Sequence, residues 1–592
     1  MRSSFFEFNV AMSGLFTARA NLEVTSHNIA NAAINGYSRQ YAEQKAYFPI
    51  ATYNGKGMVG TGSVVYGIGQ MRDFYLDRKF WAERATLGEY SVKNGQLSIT
   101  ESIFNELSDS SLTRIFNDFF DKLQSLNENA GDFTYRTNVI QSAGTLTDML
   151  RLQANSLQKQ QRDINEEIKA MVQIMNSIGQ QIASLNRQIS TYELDGSRAN
   201  DLRDQRARLV DELSLYINVE VREKEMNADY AAGKFPEPED RGKSDKRYSV
   251  MINGYEFVNH YDFFALETVE RKEPEQKRNP MDVPGLYDIR FASGNSFNIY
   301  HPGLKGELRG LIDIRDGNNG STLIDYDGAT VFERSVIIDG VARIERYRAD
   351  GRPVGRVTVH NTNYKGIPHY LDKLNYMIRT LARAFNEGLD KDGKPMYGVI
   401  GHVYGYDLNG DRGNLLFTYY DYDNLDLNGK PSVLTKVDVP YAPPDGYRAL
   451  SDDFYDRINV FNFAVNPDMF KDPSLFAASD TDLQDQSNNE VIKGLLKIKN
   501  DIHLFKEGQL SDFISGMITE LGIDRKQAEK FEKNYHDVTT MIDNQRISVS
   551  GVNVNEEVVD LVKYNQMYQA AAKLVNIIDS IYDTTVNRLG NW

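Results

Sequence analysis

The sequence INEEIKAMVQIMNSIGQQIASLNRQISTY, residues 164–192, repeats apolar side chains at alternating steps of three and four. The apolar positions are Ile164, Ile168, Met171, Met175, Ile178, Ile182, Leu185, Ile189 and Tyr192. A sustained repeat of this kind predicts a coiled-coil-like helix. The register continues upstream to Ile140, and an unbroken helix over 134–194 would be about 90 Å long.

A second helix is predicted directly after the first. Asp195-Gly196 ends the long helix, and residues 199–216 then carry Leu202, Leu209 and Leu213 on one face. We expect this second helix to fold back on the first.

The positions of proline separate the helical parts of the chain from the rest. Of the 16 prolines, only Pro49 lies before Pro236, and none follows Pro473. Because proline removes a backbone donor and clashes inside a helix, long proline-free stretches permit long helices. The two ends of the chain are therefore predicted to be helical.

The middle, from about 220 to 475, is predicted to be β-rich. Residues 248–252 alternate polar and apolar side chains, and Asn253-Gly254 follows them as a hairpin signal. The charged segments 224–247 and 269–283 are predicted to be surface loops. The predicted fold class is multidomain α+β, with a terminal α-helical coiled-coil bundle and β-rich outer domains.

The N-terminus is predicted to be an amphipathic helix of about 30 residues, or about 45 Å. Ser4 and Glu7 have the spacing of a capping box, and Asn35-Gly36 ends the helix. Its apolar stripe consists of Phe5, Phe8, Met12, Leu15, Leu22 and Ile29.

The C-terminus is predicted to be a matching helix. Asn553 and Glu556 form a box-like start. Its apolar stripe consists of Leu561, Tyr564, Tyr568, Val575, Ile578, Tyr582 and Leu589. We expect that both stripes lack a complete partner surface in an isolated chain, so that neighbouring copies must cover them.

Composition excludes several classes of function. Lys and Arg total 67 against 83 Asp and Glu, a net charge of −16, which disfavours nucleic acid and anionic membranes as partners. The segment 1–7 lacks the apolar core of a conventional signal peptide. The absence of cysteine removes disulfides, cysteine nucleophiles and thiolate metal sites.

No catalytic or cofactor site is predicted. The eight histidines are scattered and form no metal-ligand or triad pattern. The acidic segments 407–411 and 421–426 could supply oxygen ligands to calcium, but neither has both the glycine and the glutamate of an EF-hand loop. We interpret both as Asp/Asn/Gly turns, and we predict that the protein is not an enzyme.

The N-terminal helix and the segment after it carry a pattern of polar and small residues. It comprises Ser13, Gly14, Ser26, Asn28, Asn31, Gly36, Tyr37, Arg39 and Gln40. This pattern resembles the signature of bacterial flagellar rod, hook and hook-associated proteins. His27 stands where that signature usually has asparagine.

Three more matches narrow the resemblance to the flagellar hook-associated protein 1 family of hook–filament junction proteins. They are the segment 200–213, the segment 306–313, and Gly551, Asn553 and Glu556 before the C-terminal helix. The resemblance also implies a helix over 370–389. We expect the long helix to pack within the subunit against this helix and against 199–216.

The resemblance implies seven segments. They are 1–45, an N-terminal axial-core helix; 46–220, a helical domain with the long helix; 221–369, a β-rich outer domain with an insertion at 317–367; 370–390, a return helix of the helical domain; 391–475, a second β or irregular outer segment; 476–550, a helical segment that rejoins the helical domain; and 551–592, a C-terminal axial-core helix.

The resemblance also implies partners and a location. Such a protein is exported unfolded through the flagellar type III pathway and lies outside the cell, in the flagellum. It forms a homo-oligomeric ring through coiled-coil packing of the terminal helices, whose two stripes are then the subunit interface. The hook protein would lie below it, hook-associated protein 3 or the filament above it, and an export chaperone would bind the C-terminal helix.

Two alternatives remain at this stage. One is another flagellar axial subunit, from the hook or rod, although these usually lack the long helix and its return. The other is a secreted adhesin or enzyme carried by the middle domains, which would need clustered ligands or a triad within 220–475.

Overall fold

The computed structural model describes residues 6–51, 57–104, 111–194, 197–225, 246–272, 278–319, 323–325, 330–338, 341–348, 357–358, 363–425, 429–437, 449–483 and 487–585. Twelve α-helices lie within these ranges. They are α1 (Phe6–Asn31), α2 (Phe74–Phe104), α3 (Leu112–Glu128), α4 (Phe133–Glu193), α5 (Asn200–Tyr216), α6 (Glu307–Asp316), α7 (Ile367–Glu387), α8 (Asp452–Arg457), α9 (Pro467–Lys471), α10 (Glu490–Lys497), α11 (Leu510–Ser550) and α12 (Val554–Asp583).

The strands form small antiparallel sheets. They are β1 (Gln40–Ala46), β2 (Ile50–Ala51), β3 (Met58–Val59), β4 (Ser63–Gln70), β5 (Val219–Glu225), β6 (Lys246–Ile252), β7 (Tyr255–Asn259), β8 (Asp262–Phe263), β9 (Leu266–Glu270), β10 (Tyr287–Phe291), β11 (Leu323–Asp325), β12 (Thr330–Ile338), β13 (Val341–Arg348), β14 (Val357–Thr358), β15 (Phe417–Leu425), β16 (Pro431–Val433) and β17 (Phe463–Val465). The sheet orders are β1-β4, β2-β3, β5-β6-β7-β8, β9-β10, β13-β12-β11-β14 and β16-β15-β17.

The predicted hairpin is present between β6 and β7. Asn253 and Gly254 at its tip have φ values of 46° and 82°, the positive values that a tight hairpin turn requires. The predicted loop 224–247 lies mostly outside the described residues, and its two ends belong to β5 and β6.

The long helix α4 is continuous, as predicted, and forms the spine of the molecule. Seven of its nine predicted seam positions are buried, and Leu185 is half-buried. Tyr192 is 64% exposed, because it lies in the last turn, beyond the elements that cover the seam. Different parts of α4 pack against α3, α5, α6 and α7, so several elements cover the seam in place of one coiled-coil partner.

Helices α2 and α11 form a second long antiparallel pair. Aromatic rings of Tyr90 and Phe531 meet in its middle, with centroids 4.8 Å apart. Arg525 pairs with Glu101 at one end. Helix α11 runs back along α2 and ends near the end of α1. Helix α12 therefore begins beside α1.

Helices α1 and α12 pack against each other along their length in an antiparallel pair, joined to the hairpin β1–β4. We call α1, α12 and the segment from β1 to β4, which includes β2 and β3, the rod, and we call the remaining elements the body. The predicted stripes face each other: Phe8, Met12, Leu15, Leu22 and Ile29 on α1, and Leu561, Tyr564, Tyr568, Val575, Ile578 and Tyr582 on α12, are all half-buried.

This pairing corrects the expectation that only neighbouring copies can cover the stripes. Each helix of one chain covers part of the other's stripe, because the two apolar repeats have the same period. Two helices cannot enclose each other, so the stripe residues remain only half-buried. Ser4, Phe5 and Leu589 lie outside the described residues, with residues 1–5 and 586–592.

Two elements extend across the segment boundaries given above. The boundary between 45 and 46 cuts through β1, whose whole length pairs with β4. The return helix begins at Ile367 and not at 370, because Gly366 stands at its N-cap and proline is accepted in its first turn. The insertion 317–367 contains the sheet β13-β12-β11-β14.

Candidate functional site at the joint of rod and body

The three-residue segment Ser38-Arg39-Gln40 lies between α1 and β1 of the rod, and each of its residues contacts the body. It follows a turn in which Gly36 has a φ of 77°. A Cβ at Gly36 would lie 2.6 Å from Cγ of Arg208 on α5, so both the conformation and the space require glycine. The N–H of Arg39 then donates to the carbonyl oxygen of Ser550, at the end of α11, over 2.7 Å.

Asn28 holds this segment from the side of α1. Its amide nitrogen donates to the Gln40 carbonyl at 2.9 Å, and its Oδ1 accepts from the Gln40 N–H at 2.9 Å. Oδ1 also accepts from the Tyr37 hydroxyl at 2.9 Å, and the nitrogen donates to Glu557 Oε2 at 3.0 Å. The buried amide thus uses both donors and both lone pairs, which aspartate could not reproduce.

Glu557 carries the same network into α12. It is 1% exposed, and its Oε1 accepts from Arg39 Nε at 2.5 Å. Burial opposes the charge on Arg39, but the hydrogen bond and charge of Glu557 outweigh it and raise the pKa of Arg39. Glu557 lies in the first turn of its helix, where the helix dipole favours a negative charge.

The first turns of α5 hold the segment from the body. Asp204 is buried, and its two oxygens accept from the backbone N–H and the hydroxyl of Ser38, both at 2.8 Å. Burial raises the pKa of Asp204, and the hydrogen bonds from Ser38 partly oppose that rise. Asp201 accepts from Gln40 Nε2 at 2.8 Å and lies 3.5 Å from Nε2 of His27.

Arg546 fixes the end of α11, the point from which α12 departs. Its Nε lies 2.9 Å from Asp77 on α2, and its Nη2 lies 2.9 Å from Asp211 on α5. Its guanidinium also stacks over the ring of Phe80 at 4.2 Å. Burial raises the pKa of Asp211, and the charge of Arg546 partly opposes that rise.

The break between α11 and α12 uses the predicted C-terminal motif. A Cβ at Gly551 would lie 2.4 Å from the carbonyl oxygen of Ile547, so a side chain there would displace the end of α11. Asn553 caps α12 by accepting from the N–H of Asn555 at 3.1 Å. Glu556 accepts from the side-chain amide of Asn553 at 3.2 Å, which differs from the backbone contact of a capping box.

The other motif residues lie away from the joint. Ser13 donates to the carbonyl of Val10 and accepts from the N–H of Ser63 at the start of β4. Asn31 donates to the carbonyl of His27 within α1. Gly14 has open space where a Cβ would stand, and Ser26 is exposed.

The structure therefore brings together Asn28, Gly36, Tyr37, Arg39, Gln40 and Gly551, and it leaves the two apolar stripes along the rod. Asp201 and Asp204 belong to the segment 200–213 that resembles the family, and Glu557 directly follows Glu556 of the C-terminal motif. The sequence did not predict that these three carboxylates meet at the joint.

The described residues contain no group of three or more His, Cys, Asp or Glu side chains placed to hold a metal. In the acidic segment 407–411, Asp407 accepts the backbone N–H groups of Asn409 and Asp411, which confirms the interpretation as a turn. No described helix has the length and apolarity needed to cross a membrane.

Two family profiles match the chain. The profile of the flagellar hook-associated protein FlgK helical domain matches residues 97–417. The profile of the flagellar basal body rod FlgEFG protein C-terminal region matches residues 543–589, which include α12.

Relatives match over the full length. Flagellar hook-associated protein 1 of Bacillus subtilis is 24% identical over 602 residues, covering 100% of this chain and 99% of the relative. The Escherichia coli protein of the same name is 25% identical, covering 98% and 99%. A solved structure, the flagellar hook junction protein FlgK from Burkholderia pseudomallei, is similar with a TM-score of 0.45 and 14% identity, covering 80% of this chain and 100% of that one.

Proposed function

Because this chain belongs to the FlgK family of flagellar hook-associated proteins, we propose that its rod is the part through which it joins the hook to the filament. The protein is a structural component of the flagellum. We propose that copies assemble as a ring, with their rods packed side by side in the inner wall and their bodies directed outward.

One observation supports this proposal. Part of the apolar surface of α12 is not covered by the other elements of the same rod. We call Met567, Leu574, Ile577 and Ile581 the outer stripe; these side chains are 50–56% exposed. The outer stripe lies beside the seam that faces α1, at helical spacing. Apolar side chains in such a continuous row favour burial against another surface.

The partner surfaces in a ring are the rods of neighbouring copies. A third and a fourth helix would complete the burial of the seam residues Leu15, Leu22, Tyr568 and Val575, which α1 and α12 leave half-buried. The predicted interface residues would then make contacts both within one rod and between adjacent rods. We propose that the helices of adjacent rods pack as a coiled coil.

A ring that joins hook to filament would have one partner below it and another above it. We propose that the hook protein lies below the ring and that hook-associated protein 3 or the filament lies above it. We further propose that the chain reaches this place by export from the cell, and that a chaperone covers α12 before assembly. The protein acts by assembly and not by catalysis.

Removal of residues 553–592 tests the function directly. This deletion takes away α12, with the outer stripe, and leaves the body. In cells whose own copy of the gene is deleted, the truncated chain is expected to leave swimming abolished and filament subunits in the medium. The full-length chain, expressed from the same promoter, should restore both. Normal swimming with the truncated chain would contradict the proposed function.

A further inference from the structure

The rod and the body meet through polar groups. Among the described residues, no helix or strand of the rod packs along an element of the body. Beside the Arg39–Ser550 hydrogen bond and the close approach of Gly36 to Arg208, several of their contacts involve residues 198–204, which lead into α5 and form its first turn. We call these residues the pivot turn.

Four side chains of the pivot turn reach different parts of the rod. Asp201 and Asp204 hold the segment after α1, as described above. Asn200 donates from Nδ2 to the carbonyl oxygen of Ile68 on β4 at 2.9 Å. Arg198 lies 3.1 Å from a carboxylate oxygen of Glu43 on β1. The pivot turn therefore holds α1 and both strands of the hairpin.

Two short chain segments cross between rod and body. One is residues 71–73, between the end of β4 at Gln70 and the start of α2 at Phe74. The other is the break between α11 and α12, formed by Gly551 and Val552. Turn and helix-end residues of this kind can absorb large changes in backbone angles while the helices on both sides stay rigid.

From these contacts we propose that the pivot turn is a conformational device. It holds the rod in one direction relative to the body, and it lets the rod swing to another direction by exchanging its hydrogen bonds. This inference concerns the single chain, so it does not depend on the proposed ring.

The rod can change direction because the contacts between rod and body are mostly polar. Separating packed apolar surfaces exposes them to water, which opposes movement. Hydrogen bonds and exposed ion pairs can instead be replaced by bonds to water at little net cost. Asp201 and Arg198 are both more than half exposed, so water already reaches this side of the joint. The buried bonds of Asp204 supply the restraint.

Spin labels can report the direction of the rod. The chain has no cysteine, so cysteines placed at Lys573 on the rod and at Glu166 on α4 label only those two exposed positions. Pulsed electron paramagnetic resonance then gives the distribution of distances between them. The joint variants are Asp204→Asn and Asp201→Asn. The control is Glu212→Gln, an exposed carboxylate on the same helix.

The parent chain and the control should give one narrow distance peak, and both joint variants should shift or broaden it. Asp201 is exposed, so its substitution tests the device even if Asp204→Asn impairs folding, which circular dichroism would reveal. Joint variants with the parent distribution would overturn the proposal. A parent distribution as broad as that of the variants would overturn it as well.

Discussion

Asn28 and Glu557 are 529 positions apart in the chain and are joined by a hydrogen bond of 3.0 Å between two nearly fully buried side chains. This bond ties the last turns of the N-terminal helix to the first turn of the C-terminal helix. Arg39 neutralises Glu557 from the other side. The direction and register of the two rod helices are therefore fixed at the base of the rod by polar groups, while apolar side chains hold its length.

Removal of the carboxylate of Glu557 should loosen the rod. Glu557→Ala leaves the guanidinium of Arg39 and one donor of Asn28 without their partner, a loss of about 2–3 kcal/mol for a largely buried pair. Hydrogen exchange of the α1 and α12 amides should accelerate while that of α4 stays unchanged. Asp579→Ala, an exposed acid on the same helix, serves as the control. Equal exchange rates in the two variants would contradict the role given to this bond.

Adjacent positions on α12 should separate folding of the rod from assembly. Val575 lies in the seam, so Val575→Asp should weaken the pairing of α1 with α12 in the monomer. Ile577 lies in the outer stripe, so Ile577→Asp should leave the monomer's circular dichroism and hydrogen exchange unchanged but abolish swimming. Asn576→Asp places the same charge on an exposed polar position and should swim normally. Normal swimming of Ile577→Asp would argue against the outer stripe as an interface.

Gly516 in α11 and Gly551, directly after the end of α11, should respond to alanine in opposite ways. Gly516 has open space for a Cβ, so Gly516→Ala should stabilise the helix by up to about 1 kcal/mol. Gly551→Ala should destabilise the end of α11, because its Cβ would press on the carbonyl of Ile547. Urea unfolding followed by circular dichroism measures both changes. A stabilising Gly551→Ala would show that the break between α11 and α12 does not need glycine.

Stability should fall in mild acid because of His402. This residue is fully buried, accepts from the N–H of Ala477 on Nε2, and contacts the carbonyl of Asn414 through Nδ1. Burial lowers the pKa of His402 to about 4, whereas an unfolded histidine titrates near 6.5. Between these values the unfolded chain binds more protons, so the stability present above pH 6.5 is progressively lost toward pH 4, by about 3 kcal/mol at most.

Urea unfolding at pH 7 and at pH 4.5 measures this loss, and the pH dependence should shrink in His402→Gln. His503 is exposed, so His503→Gln should keep the pH dependence of the parent chain. If the stability of His402→Gln depended on pH as strongly as that of the parent chain, His402 would not be the cause of this dependence.

Periodicity identified the helices of this fold well, for a physical reason. The apolar positions of α4 and α12 recur every three or four residues, and the side chains at those positions are the ones the structure covers. Periodicity does not show which element, or which copy of the chain, covers these side chains. It predicted the stripe from Leu561 to Tyr582, but the assignment of that stripe to neighbouring copies missed that α1 of the same chain lies against it.

The joint was harder to predict because its partners are distant in sequence. The motif residues Asn28, Arg39 and Gln40 were recognised, but Asp204 and Glu557 come from helices that meet them only in three dimensions. The boundary placed at 45/46 differs from the observed elements for a related reason. It lies within β1, and β1 belongs to a hairpin whose second strand ends at Gln70.

Cryo-electron microscopy of the hook–filament junction, in flagella from cells that express this chain, tests the proposed ring directly. We expect a ring of copies between hook and filament, with α1 and α12 lining the channel and Met567, Leu574 and Ile577 covered by the next copy. A junction without this chain, or a ring in which the outer stripe faces solvent, would contradict it.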